Sequence, residues 1–414
     1  DGDENELNGS IEPDQAVIYP YEIVDRESRI IEEKKLKNKY PKSYQYLSEF
    51  ENRLRDRGSD SMNYPKWYAL WCPRDKQIFE ARKLLVPDIC NESEFALDER
   101  GGTYVPNSAY AVVPRKSDSS FQEYLLGVLN STSVWFYLYN TSSVLRGDYR
   151  RFMTTYLEPI PLPDADSIED VDKDEFNSIY KGWIQSKKYP EETSAEFLAF
   201  LAEENNSSHA RLRDLNTEFI DYIGHYELIT GLSEIGLRQP PNNASSSRLR
   251  ATSKDLDNLR IGTATVHRES PNTVLIKATA RYKPDDEDSY ETDRWGYTET
   301  DYLPAFRITD LTEAEADLIE HFVPVAVDEA GGFANFRETA TKTNSLVDRL
   351  HKLTLPAVSD VETGLKSYMQ TKERAEELEA KIEQTDKLID EIVYELYGLT
   401  DEEIEIVEEA VSAD

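Results

Sequence analysis

Three arginines and a tyrosine lie close together around one glycine in the first half of the chain. They occupy the run Arg146-Gly147-Asp148-Tyr149-Arg150-Arg151. The glycine predicts a turn, since glycine adopts backbone conformations closed to other residues. A guanidinium group is planar and can pair bidentately with guanine or with a phosphate. We therefore expect Arg146, Tyr149, Arg150 and Arg151 to contact nucleic acid, with ion pairing to nearby acidic helices as the alternative.

Further basic residues precede this run at predicted helix and loop positions. Lys34 and Lys35 belong to a lysine-rich stretch that suits phosphate contacts, which position a protein on a duplex without specifying sequence. A solvated helix face is the alternative for these lysines. Arg57 lies at a predicted helix end, where a cation also complements the helix dipole. The remaining candidates are loop residues between predicted strands: Arg74, Lys76, Arg115 and Lys116.

No pattern of side chains in the chain predicts catalysis, a metal site or a cofactor site. The five histidines show no HxxxH or HExxH spacing, the two cysteines form no CxxC, and G-x-S-x-G is absent. Asp14 or Asp25 with Glu32 and Lys34 can be matched to a metal-nuclease pattern. Such matches arise easily among 81 acidic and 47 basic residues. We therefore assign no catalytic, cofactor-binding or metal-binding residue.

Hydrophobic periodicity predicts the elements that position these residues. Residues 26–57 have helical character, 67–71, 83–89 and 109–113 read as short strands, and 121–139 is a strongly apolar helix. Prolines at 159, 161 and 163 end this block. Further on, 260–282 predicts two strands around a turn, and 360–397 predicts one long helix ended by Gly398.

The predicted fold class is α+β. It consists of a mixed α/β recognition domain, a helical spacer, a small β-rich module and long C-terminal helices. The segment boundaries are 1–18 for an acidic tail or linker, 19–163 for the recognition domain, 164–253 for the spacer and linker, 254–310 for the β-rich module, and 311–414 for the C-terminal helical region.

The charge of the chain is strongly acidic and unevenly distributed. The formal net charge is −34. Residues 19–157 hold 21 basic against 19 acidic residues, whereas residues 158–414 hold 26 against 56. The near-neutral block permits nucleic-acid binding or reflects a buried domain without an acidic coat. The dispersed acidic residues indicate adaptation to a salt-rich cytoplasm, as in halophiles, with an acidic partner-binding protein as the alternative.

Several short segments keep a familiar order and spacing in the first block. They are Pro41, Tyr44, Tyr46-Leu47, Leu54, Arg57, Trp67-Tyr68, Arg82-Lys83-Leu84, Pro87, YLLGVLNS at 124–131, Arg146-Gly147 and PIPLP at 159–163. Together they resemble the TaqI-like C-terminal specificity domain of type IIG restriction–modification enzymes and adenine-specific DNA methyltransferases. The resemblance covers about residues 19–163. The segment 386–403 is similar to the C-terminal helix of the same enzymes and of type I specificity subunits.

The resemblance implies recognition of double-stranded DNA next to a catalytic methyltransferase domain in cis. Such catalytic domains carry an N/D-P-P-Y/F/W motif and bind S-adenosylmethionine over a glycine-rich turn. The Pro-Pro pair here, in QPPN at 239–242, lacks the aromatic residue, and the Gly-Gly pairs at 101–102 and 331–332 form no GxGxxG. We therefore expect no methylation and no cofactor binding by this chain, with S-adenosylmethionine bound elsewhere in a longer enzyme. The chain also begins without an initiating Met, which likewise suggests a longer enzyme.

The prediction is a sequence-specific DNA-recognition region of a type II restriction–modification enzyme. The alternative is an acidic helical protein-interaction scaffold without DNA binding. No apolar run is long enough for a membrane span and no secretory segment opens the chain, so we expect a cytoplasmic protein. The helix at 360–397 is expected to brace domains or to contact another copy or a partner subunit.

Overall fold

A computed structural model describes most of the chain. The described residues are 15–57, 64–71, 73–105, 107–115, 118–163, 173–186, 194–240, 248–285, 290–328 and 343–411. Lys116 and Cys72 lie outside these ranges.

The described residues form fifteen strands, fourteen helices and two short 3-10 helices. The strands are β1 Tyr21–Val24, β2 Glu27–Ile30, β3 Lys83–Pro87, β4 Ile89–Cys90, β5 Ala96–Asp98, β6 Ala109–Val112, β7 Ser143–Val144, β8 Arg150–Arg151, β9 Ile229–Gly231, β10 Leu237–Gln239, β11 Arg260–Ser270, β12 Thr273–Tyr282, β13 Thr298–Glu299, β14 Leu303–Thr309 and β15 Thr354–Pro356. The helices are α1 Glu33–Lys39, α2 Pro41–Glu49, α3 Glu51–Arg55, α4 Lys76–Glu80, α5 Ser119–Leu129, α6 Thr132–Thr141, α7 Thr154–Leu157, α8 Lys173–Ser186, α9 Ala195–Arg213, α10 Phe219–Ile223, α11 Glu313–Asp328, α12 Leu346–His351, α13 Val358–Tyr397 and α14 Asp401–Val411. The 3-10 helices are Leu232–Glu234 and Arg248–Arg250.

The α+β class is confirmed. Each strand pair among the described residues is antiparallel, and no parallel crossover of the βαβ kind joins them. The chain divides into two compact units. Unit 1 comprises 1–214 and 376–414, and unit 2 comprises 215–375. The five-segment division of the sequence stays a prediction.

Unit 1 holds small sheets packed with helices. Strands β1 and β2 form a hairpin, and two three-stranded sheets have the orders β5-β3-β6 and β4-β8-β7. The core joins Leu84 and Val86 of β3 to the apolar faces of α5 and α9 and to the last turns of α13. Gly127 of α5 allows α9 to approach, because a Cβ at this position would lie 3.0 Å from Cδ1 of Leu198.

The apolar segment predicted as one helix at 121–139 is two helices. The helical path breaks at Ser131, which has extended backbone with φ −70° and ψ 155°. The preceding Asn130 bonds the backbone N–H and carbonyl of Phe95 through its side-chain amide, each at 2.8 Å. Ser131 then caps α6, its hydroxyl accepting from the backbone N–H of Val134 at 3.4 Å. Hydrophobic periodicity did not predict this break, because Asn130 and Ser131 lie between helical turns whose apolar residues are on the same face.

The strand predicted at 67–71 is wrong. Trp67 and Tyr68 are buried against Ile31 and Leu36, but this segment pairs with no described strand. The carbonyls of Trp67 and Ala69 accept hydrogen bonds from the Arg57 guanidinium instead. Aromatic residues are enriched in strands, so the composition of this segment indicated the wrong backbone.

Unit 2 is a twisted antiparallel sheet covered by helices. The order is β10-β14-β12-β11, with β13 added on β12. The hairpin β11–β12 confirms the two strands predicted at 260–282. Helix α11 packs its apolar face on this sheet, and Ile276, Phe306 and Phe322 are fully buried in the core.

The long helix predicted at 360–397 is confirmed as α13, and its end follows the predicted chemistry. Gly398 has φ +68°. Its N–H donates to the Glu395 carbonyl at 2.9 Å, and the Leu399 N–H donates to the Tyr394 carbonyl at 3.0 Å. This pair of bonds is the Schellman arrangement.

Candidate nucleic-acid interface

The candidate arginine run lies on a tight hairpin between β7 and β8. The Leu145 N–H donates to the Tyr149 carbonyl at 2.7 Å. Gly147 has φ +78° and Asp148 has φ +58°, both in the left-handed region that glycine and aspartate tolerate best. The turn leaves the Arg146 side chain exposed and Tyr149 half-buried. Arg146 is therefore available to a ligand at the tip of the turn.

Arg150 is used inside the protein. The residue is 4% exposed. Its Nε donates to the Tyr139 carbonyl at 3.1 Å, its Nη1 donates to the Asp148 carbonyl at 3.0 Å, and its guanidinium lies 3.9 Å from the centre of the Tyr139 ring. These contacts hold the turn that carries Arg146. Its assignment to DNA stays a prediction, and the geometry favours a positioning role.

Arg151 is half exposed and paired with a carboxylate. Its Nη2 lies 3.0 Å from Oδ2 of Asp88, and its Nε lies 3.4 Å from Oδ1. The hydrogen bond to Asp88 raises the pKa of the Arg151 guanidinium. With 47% of its side chain exposed, Arg151 retains free surface for a phosphate or a base edge beside this ion pair.

Hydrogen bonds link Arg74 to the same edge of unit 1. Arg74 Nη2 donates to Oδ1 of Asn107 at 3.3 Å. The neighbouring Ser108 carbonyl accepts from the Asp88 N–H at 2.7 Å, and Asp88 pairs with Arg151. A chain of contacts through Asn107, Ser108 and Asp88 therefore connects Arg74 to Arg151, although 76 residues lie between them in the sequence.

Three other candidates belong to the β1–β2 hairpin and the helices that follow it. Lys34 and Lys35 are both exposed on α1, and Lys35 Nζ pairs with Oε2 of Glu22 at 2.5 Å. Arg57 lies over the Tyr64 ring at 4.4 Å while it donates to the carbonyls of the 67–69 segment. The sequence predicted Arg57 as a DNA contact, with the helix dipole as the alternative. Its guanidinium braces the 67–69 segment, and its contact with DNA stays a prediction.

Lys76 and Arg115 lie on two different elements of unit 1, Lys76 in α4 and Arg115 after β6. Lys76 opens α4, where its Nζ lies 3.6 Å from Oε1 of Glu80 and its backbone N–H donates to the Ser28 hydroxyl at 2.6 Å. Arg115 is exposed after β6. It follows the end of β6 opposite to the one that adjoins Asp88, because Ala109 pairs with Pro87 and Val112 with Leu84.

Sequence reasoning missed residues whose importance depends on distant partners. Asp88 pairs with Arg151, and Asn107 accepts a hydrogen bond from Arg74. No short sequence pattern around Asp88 or Asn107 indicates these contacts. Arg26 was also missed. It is exposed at the tip of the β1–β2 hairpin, where Asp25 and Arg26 have φ of 54° and 64°. A two-residue turn with positive φ at both positions orients this arginine outward, and the Asp-Arg pair was the available sequence signal.

The described residues show neither a candidate metal cluster nor a reactive thiol at Cys90. No group of three or more His, Cys, Asp or Glu among them could hold a metal ion. Cys90 is buried, which raises the pKa of its thiol and disfavours the reactive thiolate. In the described part of the chain, no helix is both long enough and apolar enough to span a membrane.

The Gly101–Gly102 pair is used for packing. Gly101 and Gly102 follow β5, in an antiparallel sheet, and a Cβ at Gly101 would overlap the Glu80 carbonyl. This glycine therefore serves close packing. A glycine-rich loop that cradles a nucleotide connects a strand to the N-terminus of a helix in a parallel sheet, and the described residues contain no such loop.

The first block of the chain is similar to known proteins. Residues 18–162 match the family described as the TaqI-like C-terminal specificity domain. The type II methyltransferase M.BstVI of Geobacillus stearothermophilus is 26% identical over 157 residues, which cover 38% of this chain and 27% of that protein. The type II methyltransferase M.BanIII of Aneurinibacillus aneurinilyticus is 23% identical over 158 residues, covering 37% and 26% respectively.

The chain spans about a quarter of the length of these curated relatives. The matched region contains the β7–β8 hairpin, Asp88 and Arg74. Residues 18–162 are thus similar to a TaqI-like specificity domain, and they carry the candidate arginines.

Proposed function

We propose that this chain is the sequence-specific DNA-recognition region of a type II restriction–modification enzyme, an adenine-specific DNA methyltransferase. It positions double-stranded DNA for a catalytic domain in cis, and that domain binds S-adenosylmethionine. The observation that carries the proposal is the match of residues 18–162 to a specificity domain. The alternative, an acidic scaffold without DNA binding, is not favoured by this match.

The geometry of the hairpin supports different roles for its three arginines. Arg146 is exposed at the tip and is available to a ligand. About half of the Arg151 side chain is exposed beside Asp88, and a carboxylate partner fixes the orientation in which an arginine meets a base edge or a phosphate. Arg150 stabilises the turn through its hydrogen bonds to the carbonyls of Tyr139 and Asp148. A rigid support of this kind is needed for base readout, because bidentate pairing tolerates little displacement.

The modest positive charge fits a specific mode of binding. Residues 19–157 carry nearly equal numbers of basic and acidic side chains. Binding that depends on phosphate neutralisation weakens steeply with salt. A region with few free cations must obtain more of its affinity from base contacts and shape. In this proposal the acidic remainder of the chain adapts the protein to a salt-rich cytoplasm.

Selection from a pool of random DNA duplexes tests the proposal directly. The 414-residue chain is incubated with the pool at low and at high KCl, and retained duplexes are sequenced. We expect one short motif to be enriched, because a specificity domain discriminates base pairs by about 1–3 kcal/mol each. Retention without enrichment, or no retention at low salt, would contradict the proposed function.

A further inference from the structure

The sheet of unit 2 has one buried face and one partly exposed face, because successive side chains of a strand point to opposite sides. Along β12, the residues at even positions from 274 to 282 are buried in the core, whereas Leu275, Lys277 and Arg281 are half-buried. Their cross-strand partners lie on the same side of the sheet, and they are Arg260, Thr265, His267, Glu299, Pro304 and Arg307. We call this side the outer face.

The outer face is basic although the surrounding sequence is acidic. Four of its strand residues are positively charged and two are negatively charged, namely Arg260, Lys277, Arg281 and Arg307 against Glu269 and Glu299. Residues 158–414 as a whole carry 26 basic and 56 acidic side chains. Contact with solvent explains why polar side chains occupy one face of an antiparallel sheet, but it does not explain the reversed sign of their charge.

The arginines of the two central strands are held by carboxylates on the face itself. Arg307 Nη2 donates to Oε1 of Glu269 at 2.7 Å. Arg281 pairs with Asp293, and its Nη1 also lies 3.9 Å from Oε2 of Glu299. These pairs fix the two guanidinium groups in place and cancel much of their charge.

Arg260 and Lys277 carry the charge that is left over. Neither forms an ion pair with a carboxylate of the described residues. Arg260 is exposed and Lys277 is half-buried. Between them along β11 are Thr263, which is exposed, and Thr265, which is the cross-strand partner of Lys277. Lysine, arginine and threonine are residues whose side chains commonly donate to DNA phosphates.

Three cations surround the ring of Tyr297 at one end of the outer face. The guanidinium carbons of Arg260 and Arg281 lie 4.4 Å and 5.2 Å from the ring centre, and Nζ of Lys283 lies 5.2 Å from it. Like charges this close repel one another, and the ring offsets part of this repulsion. Asp293 compensates Arg281, so the positive charges of Arg260 and Lys283 remain for an external anion.

We propose that the outer face of unit 2 contacts the phosphate backbone of double-stranded DNA, with Arg260 and Lys277 as its principal cations. The inference rests on the proposed function, because the DNA is the duplex that residues 18–162 select, and it assigns a second contact surface outside that region. Phosphate contacts do not depend on sequence. The outer face therefore adds affinity to the complex, while the choice of base pairs stays with the recognition region.

The acidic surface of a second copy of the chain is the competing occupant. DNA fits better, since it presents one negative charge per about 1.7 Å of helix axis. The carboxylates of a protein are spread over a larger surface, and several here are already paired, as Glu269 and Asp293 are. A face with two uncompensated cations gains more from the denser charge of the duplex.

Fluorescence anisotropy with the motif-bearing duplex from the selection experiment tests the outer face. The affinities of wild type, Arg260→Gln and Lys277→Gln are measured over a KCl series, with a duplex of scrambled sequence in parallel. We expect each substitution to reduce the slope of log affinity against log salt by about 1. At about 0.1 M KCl the affinity should fall by at least about threefold for both duplexes, because a lost phosphate contact affects all sequences alike.

Two control variants separate a local contact from a change in overall charge. Lys352→Gln, at an exposed position directly after α12, removes the same charge from unit 2 outside the outer face and should keep the wild-type slope. Lys277→Arg retains the charge on the outer face and should also keep it. Thermal unfolding of each variant, measured alongside, shows that any loss of affinity occurs in folded protein.

Equal salt slopes of Arg260→Gln, Lys277→Gln and Lys352→Gln would overturn the inference, as would a loss of affinity confined to the motif-bearing duplex. Analytical ultracentrifugation without DNA tests the second copy. A dimer that Arg260→Gln and Lys277→Gln dissociate would assign the outer face to self-association instead. Retention of no duplex in the selection removes the proposed function as well, whereas an enriched motif with unchanged slopes overturns this inference alone.

Discussion

The guanidinium of Arg150 is enclosed by the turn that it supports, whereas that of Arg146 at the tip of the same turn is exposed. Arg151, one residue further, pairs with Asp88. Three identical side chains within six residues therefore have three environments. An arginine with satisfied donors and little exposed surface positions its neighbours, and an exposed one is available to a ligand.

Substitution separates these two roles. We expect Arg146→Ala to weaken binding of the selected duplex by about 1–3 kcal/mol, the range for loss of a base-directed arginine, with little change in Tm. Fluorescence anisotropy at one fixed salt concentration measures the change, since the affinity depends on salt. Arg374→Ala, at an exposed position of α13, is the matched control and should bind as the wild type does.

Arg150→Ala completes this comparison. It removes donors from the carbonyls of Tyr139 and Asp148, so we expect the free energy of unfolding to fall by about 1–3 kcal/mol. Normal stability of Arg150→Ala with abolished specific binding, together with unchanged binding by Arg146→Ala, would reverse the two assignments.

Asp386 gives a stability prediction with a definite pH dependence. Its pKa of about 6 in the folded chain lies above the ordinary value of 3.8. The folded state therefore holds the proton over that window, and the stability contributed by the protonated group is lost as the pH rises through about 6. Asp386→Asn should be more stable than wild type at about pH 7.5, by an amount that solvent screening reduces because Asp386 is an exposed residue.

The difference should vanish near about pH 4, where the wild-type carboxyl is protonated. Urea unfolding of both proteins at the two pH values measures it. A stability difference of equal size at both pH values would mean that lost hydrogen bonding, and not charge burial, separates the variants.

At the scale of elements, close backbone approach decides positions that look alike in the sequence. Gly364 and Gly182 both lie inside helices, α13 and α8. A Cβ at Gly364 would overlap the carbonyl oxygen of Tyr222, which belongs to α10, whereas a Cβ at Gly182 would meet no atom of the described residues within 4 Å. The first glycine is required by packing, and the second merely weakens its helix.

Substitution by alanine should thus change the stability of the protein in opposite directions at these two glycines. We expect Gly364→Ala to destabilise unit 2 by about 1–3 kcal/mol or more through overpacking. Gly182→Ala should stabilise by up to about 1 kcal/mol through helix propensity. Thermal unfolding followed by circular dichroism compares the two variants, and equal effects would show that α10 yields to the added methyl group.

For the whole molecule, the acidic excess is the dominant electrostatic property. Residues 158–414 carry 56 acidic and 26 basic side chains, and such an excess repels itself in the compact state. Added salt screens this repulsion. We expect Tm to rise as KCl increases from about 0.15 M to about 1 M. Sucrose at matched osmolality distinguishes screening from solute exclusion, and a Tm that is constant above physiological salt would refute salt adaptation.

Local pattern was sufficient for several features of the fold. The α+β class, the β11–β12 hairpin, and α13 with its Gly398 end followed from periodicity and turn residues within short windows. These features depend on neighbours along the chain, so the sequence carries them directly. The same windows failed at 67–71 and at 130–131, where bonds to residues distant in the sequence choose the backbone conformation.

Tertiary structure alone decided the character of the candidate sites. Asp88 lies 63 positions before Arg151, and Asp390 lies 258 positions after Thr132. The sequence determined that arginines and carboxylates are present and roughly which elements carry them. Which arginine is exposed, which residue each carboxylate bonds and which glycine is closely packed depend on partners brought together only by folding, since burial and pairing are properties of the packed chain.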